Sequence, residues 1–165
     1  MLNVLIAVDG SPTSQKALDF ARELLAWRKT SITLLHVIPQ HMVYSKGGAA
    51  AAEVYDMDQE KVASQSLLDD SARYLANGGV GPQIDSRIIG GDPADLILSV
   101  AEDKDIDLII VGSRGLNATQ RLLIGSVSTK VATHAHCAVL VAHPRPVLVM
   151  SEVTSPAVQT TLAPA

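Results

Sequence analysis

Apolar and polar positions follow two alternating periods along the first 143 residues. Leu2 to Val8 is an apolar run broken only by Asn3, the pattern of a strand buried on both faces. Asp9-Gly10-Ser11-Pro12 interrupts it, with Ser11 suited to cap a helix and Pro12 to open one. From Pro12 to about Arg28 apolar residues recur at helical spacing, and Ala17, Leu18, Ala21, Leu24 and Leu25 form one broad face. Ser31 to Ile38 predicts a second strand, stopped by Pro39. Residues 40–58 have a loose pattern, with Gly47-Gly48 and a run of alanines, and read as a mobile excursion. Helical spacing returns from about Gln59 to Ala76 through Val62, Leu68, Ala72 and Leu75, and Asn77-Gly78-Gly79 ends it.

Ile84 to Ile89 gives a third, more polar strand. Gly90-Gly91 turns the chain, Asp92 caps and Pro93 opens a helix whose Ile97, Val100 and Ala101 face inward. Asp107 to Val111 is the fourth strand and Ala138 to Ala142 the fifth. A short helical segment carrying Val127, Val131 and His134 lies between them. Strands alternating with helices predict an α/β fold, a parallel sheet wrapped on both faces and joined by right-handed crossovers. In such sheets the ligand crevice lies beyond the carboxyl ends of the strands, where strand order reverses. Asp9 and Gly112 stand at two such ends and face each other if strands one and four are neighbours. The remainder has a different character: residues 151–165 read as a disordered tail, and 144–150 as an extra edge strand or a partner contact.

Composition narrows the field. At 165 residues the chain fits one domain with a sizeable core. A net charge of −4 argues against a nucleic-acid or anionic-membrane surface, and no apolar run reaches the length of a membrane span. The lone cysteine, Cys137, excludes a disulfide within the chain and suits a reducing, cytoplasmic setting; beside an apolar strand it reads as a small core residue.

The densest chemical signal runs from Gly112 to Ser128: Gly-Ser-Arg-Gly, nine residues, then Gly-Ser-Val-Ser. An apolar strand, a glycine-punctuated loop and a hydroxyl-rich helix start make a phosphate site, because the first amides of a helix have no partner within it. Ser126 and Ser128 either cap that helix or donate hydroxyls to phosphate oxygens; seen alone, the same residues also make an ordinary capped turn. Dinucleotide and Gly-Lys-Ser/Thr loops are absent, which leaves backbone amides, a metal, and Arg114 or Arg121 to neutralise phosphate. Asp9 reads equally as a ligand for phosphate-bound Mg²⁺ or as an aspartate fixing its turn. Val37 packs on a purine or belongs to the core. The histidines show no ligand spacing, and Ser11 has no histidine partner for a hydrolase triad.

Taken together these motifs resemble the universal stress protein family across residues 1–143. The resemblance rests on Val8-Asp-Gly-Ser11, Ser14, Ala17-Leu18, His36-Val37, Gly91-Asp92-Pro93, Asp107-Leu-Ile-Ile-Val-Gly-Ser-Arg-Gly115, Leu122-Leu-Ile-Gly-Ser-Val-Ser128, Val131 and His134-Ala135. It implies a three-layer α/β/α fold of the adenine nucleotide alpha hydrolase-like kind, with a five-stranded parallel sheet of order 3-2-1-4-5. It further implies a homodimer through the fifth strand, Ala138–Ala142, and binding of ATP, often with Mg²⁺. In that reading Ala7, Val8 and Asp9 line the ribose and metal side, with Asp9 on the metal. Val37 contacts adenine and Val111 the nucleoside, while Gly112, Gly115, Gly125, Ser126, Val127 and Ser128 cradle the phosphates. Where the family often has Ala-Pro-Cys-Pro, this chain has Ala135-His136-Cys137-Ala138, without two prolines beside the dimer strand. Lacking an evident general base, the chain reads as an ATP-dependent sensor or switch whose Leu116–Ile124 loop orders on binding. The rivals are a slow Mg²⁺-dependent ATPase, an AMP- or cyclic-AMP-binding protein, and an interaction module that binds no nucleotide.

Overall fold

The first strand, β1 (Leu2–Ala7), lies at the centre of the sheet, and its period of two sorts the core into halves. Val4, Ile6 and Val8 point to one face and Leu5 to the other. A computed structural model describes residues 1–39, 57–81, 83–115 and 124–143. Residues 40–56 of the excursion expected at 40–58, residues 116–123 of the Leu116–Ile124 loop, the proposed extra strand at 144–150 and the proposed tail at 151–165 lie outside the described residues; Met57 and Asp58 already belong to the helix that follows.

The elements follow as α1 (Pro12–Leu25), β2 (Thr30–Pro39), α2 (Met57–Asn77), β3 (Ile84–Gly91), α3 (Pro93–Asp103), β4 (Leu108–Gly112), α4 (Ser126–His134) and β5 (Ala138–Ala142). All strand pairs are parallel, in the order β3-β2-β1-β4-β5. Leu5 pairs with Thr33 on one side and Ile109 on the other, so the chain reverses its direction of travel across the sheet at the β1–β4 boundary. That boundary is where a crevice opens beyond the strand ends.

Helices α1 and α2 cover one face, where Ala17, Leu18, Ala21, Leu25, Leu68 and Leu75 pack on Val4, Ile6, Ile32, Leu34 and Ile110. Helices α3 and α4 cover the other, burying Ala94, Ile97, Val100, Ala101 and Val131 against Leu5, Leu35, Ile109 and Val111. Each large aliphatic side chain so buried contributes about 2 kcal/mol. Among the described residues no helix is long and apolar enough to cross a membrane.

Three details depart from the periodic reading. Helix α1 stops at Leu25 rather than Arg28, because Trp27 takes a φ of 63° and donates its amide to Gly79 O at 2.9 Å. Leu24, on the edge of the apolar face, is 43% exposed. Val62 is 70% exposed: Leu67 of α2 already lies beside Gly10, past the end of β1, so the turns before it extend beyond the sheet they were expected to cover.

Candidate functional site

Asp9 follows β1 directly, and its two carboxylate oxygens have different surroundings. Oδ1 accepts the Ser11 amide at 3.0 Å, the turn-fixing bond expected of an aspartate before a helix. Oδ2 has no hydrogen-bond partner among the described residues and faces Gly115: a Cβ built there would lie 3.0 Å from it. Ser11 Oγ caps α1 by accepting the Ser14 amide at 3.1 Å, and the Asp9 amide donates to Ser14 Oγ at 3.2 Å. The β1–α1 turn is therefore rigid, with one carboxylate oxygen left over.

The β4 end is stitched to this turn. Thr13 Oγ1 donates to Arg114 O and accepts the Arg114 amide at 3.2 Å, and Ser11 Oγ also donates to Arg114 O at 3.2 Å. Gly112 makes this approach sterically allowed, since a Cβ on it would stand 2.7 Å from Thr13 C and 2.8 Å from Ser14 N. The Ser113 amide donates to Ala142 O at 2.8 Å. Of the loop's amides, those of Ser113 and Arg114 are thus committed to the protein itself. Arg114 Nε and the hydroxyl of the fully buried Ser113 are shut off from solvent and have no hydrogen-bond partner among the described residues.

Helix α4 begins beside them. Its N-cap, Gly125, donates its own amide to Ser113 O at 2.7 Å but has no side chain to cap the helix. Ser128 does not fill that role: its hydroxyl donates to Ser113 O and Gly125 O, both at 3.1 Å. Ser126 is the first helical residue and is exposed. Consequently the amides of Ser126, Val127 and Ser128 point out of the helix with no partner among the described residues. Three unpaired donors at a helix start, with the partial positive charge of the helix dipole behind them, attract an anion.

The other expected contacts sit deeper. Ala7 is half-buried, and Val8 is buried with its amide on Leu35 O at 2.9 Å. Val37 and Val111 are both buried in the cluster beneath α3 and α4. Two contributors were not singled out from the sequence. Thr13 joins the two loops, a pairing across 101 residues that no local pattern signals. His36 is buried, and its Nδ1 donates to Val8 O at 2.8 Å, fixing the backbone immediately before Asp9. Its place in the His36-Val37 pair was the available signal.

Among the described residues no group of three His, Cys, Asp or Glu side chains is placed to hold a metal. Burial, and then the Asp107 carboxylate, push the Cys137 thiol up, which keeps it protonated and packed against the α3–α4 cluster rather than nucleophilic. On the flank of the site Lys130 of α4 bridges Asp95 at 2.6 Å and Asp92 at 3.6 Å, tying α4 to the start of α3. An open hollow lined by Gln59, Val62, Ala63 and Ser66 of α2 includes none of the crevice residues.

A doubly wound parallel sheet whose β1 and β4 ends are stitched together at a strand-order switch, with an uncapped helix start beside them, defines the α/β class of protein. The chain belongs to the universal stress protein family, whose profile matches residues 1–143. It is 31% identical to the universal stress protein YxiE of Bacillus subtilis over 144 residues, covering 84% of this chain and 96% of that one. Among solved structures it is similar to the universal stress protein UspA of Lactobacillus plantarum, at 26% identity and a TM-score of 0.71, covering 86% of this chain and 97% of that one. A universal stress protein family protein of Arabidopsis thaliana, solved with AMP bound, matches at 26% identity and a TM-score of 0.61, over 86% of this chain and 91% of that one.

Proposed function

We propose that this chain binds an adenine nucleotide at the carboxyl ends of β1 and β4, and acts as a nucleotide-dependent sensor or switch in a cytoplasmic stress response. The observation that carries the reading is the set of three unpaired amides, Ser126 to Ser128, at an uncapped helix start. The AMP-bound Arabidopsis relative supports the choice of an adenine nucleotide.

In this reading the α4 amides and the Gly115 backbone hold phosphate oxygens, and the guanidinium of Arg114 adds positive charge beside them. Gly112 and Gly125 shape the cradle through their packing. Ser128 serves it indirectly, by tying the helix start to the β4 loop. Ala7 and Val8 form the floor beside the ribose, Val37 lies under adenine and Val111 under the nucleoside. The fullest ligand is ATP with Mg²⁺. The donor set fits a cation carried on phosphate oxygens, with Asp9 Oδ2 as the one protein ligand, better than a cage made by the protein. When bound, Mg²⁺ would neutralise phosphate charge.

A monophosphate is the second reading. Three amides suffice for one phosphate group, and the Arabidopsis relative holds AMP.

The two sheet edges support assembly through β5. On β3, Asp85, Ser86 and Arg87 are exposed, whereas β5 reads Ala-Val-Leu-Val-Ala with three half-buried residues. Polar, charged edges resist pairing and apolar ones invite it, so a homodimer forms along Ala138–Ala142.

Calorimetric titration of the native chain and Gly115→Val with ATP and AMP, with and without Mg²⁺, tests the reading. A side chain at Gly115 displaces Asp9 Oδ2, so binding should weaken at least about tenfold. Equal binding by both proteins, or none by the native chain, overturns it.

A further inference from the structure

The end of the sheet away from the crevice carries a surface that nucleotide binding does not use. Trp27, the chain's only tryptophan, is 90% exposed there, at a φ of 63°. A bulky residue in the left-handed region is rare, because its Cβ crowds the backbone. The surroundings accommodate it: Gly79, which accepts the Trp27 amide, leaves the ring lying across its backbone, and a Cβ there would come within 3.0 Å of Trp27 Cζ2. A Cβ on the adjacent Gly78 would strike Arg22 Cγ, so the two glycines seat both side chains.

Apolar neighbours extend the patch. Leu24 is 43% and Leu2 36% exposed, and the Leu2 amide donates to Lys29 O, which brings the start of β1 beside the turn that follows Trp27. Charge is distributed unevenly. Lys16, Arg73, Arg87, Lys104 and Lys130 each meet a carboxylate. Arg22, Arg28 and Lys29 meet none among the described residues: Arg22 stacks on Tyr74 at 5.0 Å, and Arg28 Nε donates to Leu24 O. Against a net charge of −4, this stretch concentrates uncompensated cations around an exposed indole. Glu23, exposed between Arg22 and Leu24, is the one acid within the stretch and leaves it with a surplus of two positive charges; Asp85 at the start of β3 is taken up by Lys104 and Arg87, and Asp107 before β4 accepts the Asn3 amide.

We propose that this surface docks an acidic, apolar segment of a partner protein, with Trp27 and Leu24 taking its apolar side chains and Arg22, Arg28 and Lys29 its carboxylates. Tryptophan and arginine dominate the energetics of such contacts. Three cations fall short of the four to eight that hold a segment to an anionic membrane, and the chain as a whole is acidic, so a protein segment is favoured over lipid. The site is independent of the nucleotide crevice.

Trp27 itself reports the test, since no other tryptophan contributes to the emission. The full chain is titrated with a synthetic peptide of repeating Glu-Leu-Phe-Glu units, with its Lys-Leu-Phe-Lys counterpart, and with phosphatidylserine vesicles. The acidic peptide should shift the emission to the blue saturably, and Arg28→Glu with Lys29→Glu should weaken it at least about tenfold. Trp27→Gly suits the positive φ, so its circular dichroism should match the native chain while calorimetry shows the peptide lost. No shift with the acidic peptide, an equal shift with the basic one, or a shift with vesicles alone overturns the proposal.

Discussion

Thr13 occupies the space that a side chain on Gly112 would need. Thr13 lies in the first turn of α1 and Gly112 at the end of β4, and a Cβ on Gly112 would come within 2.7 Å of Thr13 Oγ1, the atom that holds both the amide and the carbonyl of Arg114. Gly112 therefore keeps the crevice walls joined rather than admitting a ligand.

Gly112→Ala should accordingly destabilise the fold by about 1–3 kcal/mol, because backbone and a bonded hydroxyl must both move. Gly115→Ala meets only Asp9 Oδ2, at 3.0 Å, and should leave stability within about 0.5 kcal/mol while weakening nucleotide binding. Urea unfolding of the two variants beside nucleotide titration separates these jobs; equal loss of stability would refute the distinction.

His36 is the buried group whose loss should reach the crevice. His36→Leu leaves Val8 O without its donor and should cost about 1–3 kcal/mol. His36→Gln, which retains an N–H donor, should recover part of that loss. Denaturant midpoints for the two variants check the order.

Asp92 supplies a pH signature. The Asp95 amide it caps, and then Lys130, hold its carboxyl below the ordinary aspartate range. A lowered folded pKa means its stabilisation is present above the unfolded value and fades as pH falls through the folded one. Asp92→Asn keeps the capping oxygen and removes the charge. The side chain is 58% exposed, so the variant should lose only a few tenths of a kcal/mol at neutral pH. That difference should vanish in strong acid; thermal unfolding of both proteins across the acid range measures it.

The strands and helices could be read from periodicity because each element's own residues decide its face. Sheet order came only through the family resemblance, since pairing of β1 with β4 joins segments about a hundred residues apart. The spacing of Gly112, Gly115 and Gly125 marked the right loop but not the division of labour within it. That depends on Thr13, which reaches across 101 residues. Ser128 illustrates the same limit. Its hydroxyl is equally suited to ligand or backbone by sequence, and the nearby Ser113 and Gly125 carbonyls take it. Leu24 and Val62 stand exposed because helical spacing gives the direction of a face, not how far the neighbouring elements extend over it.

Backbone amide resonances followed during titration with AMP and with ATP and Mg²⁺ give the most direct measurement. Those of Ser126, Val127 and Ser128 should move strongly, and Gly125 and Ser113, already bonded to Ser113 O and Ala142 O, much less. Saturable nucleotide binding that leaves the three helix-start amides unmoved would contradict the account.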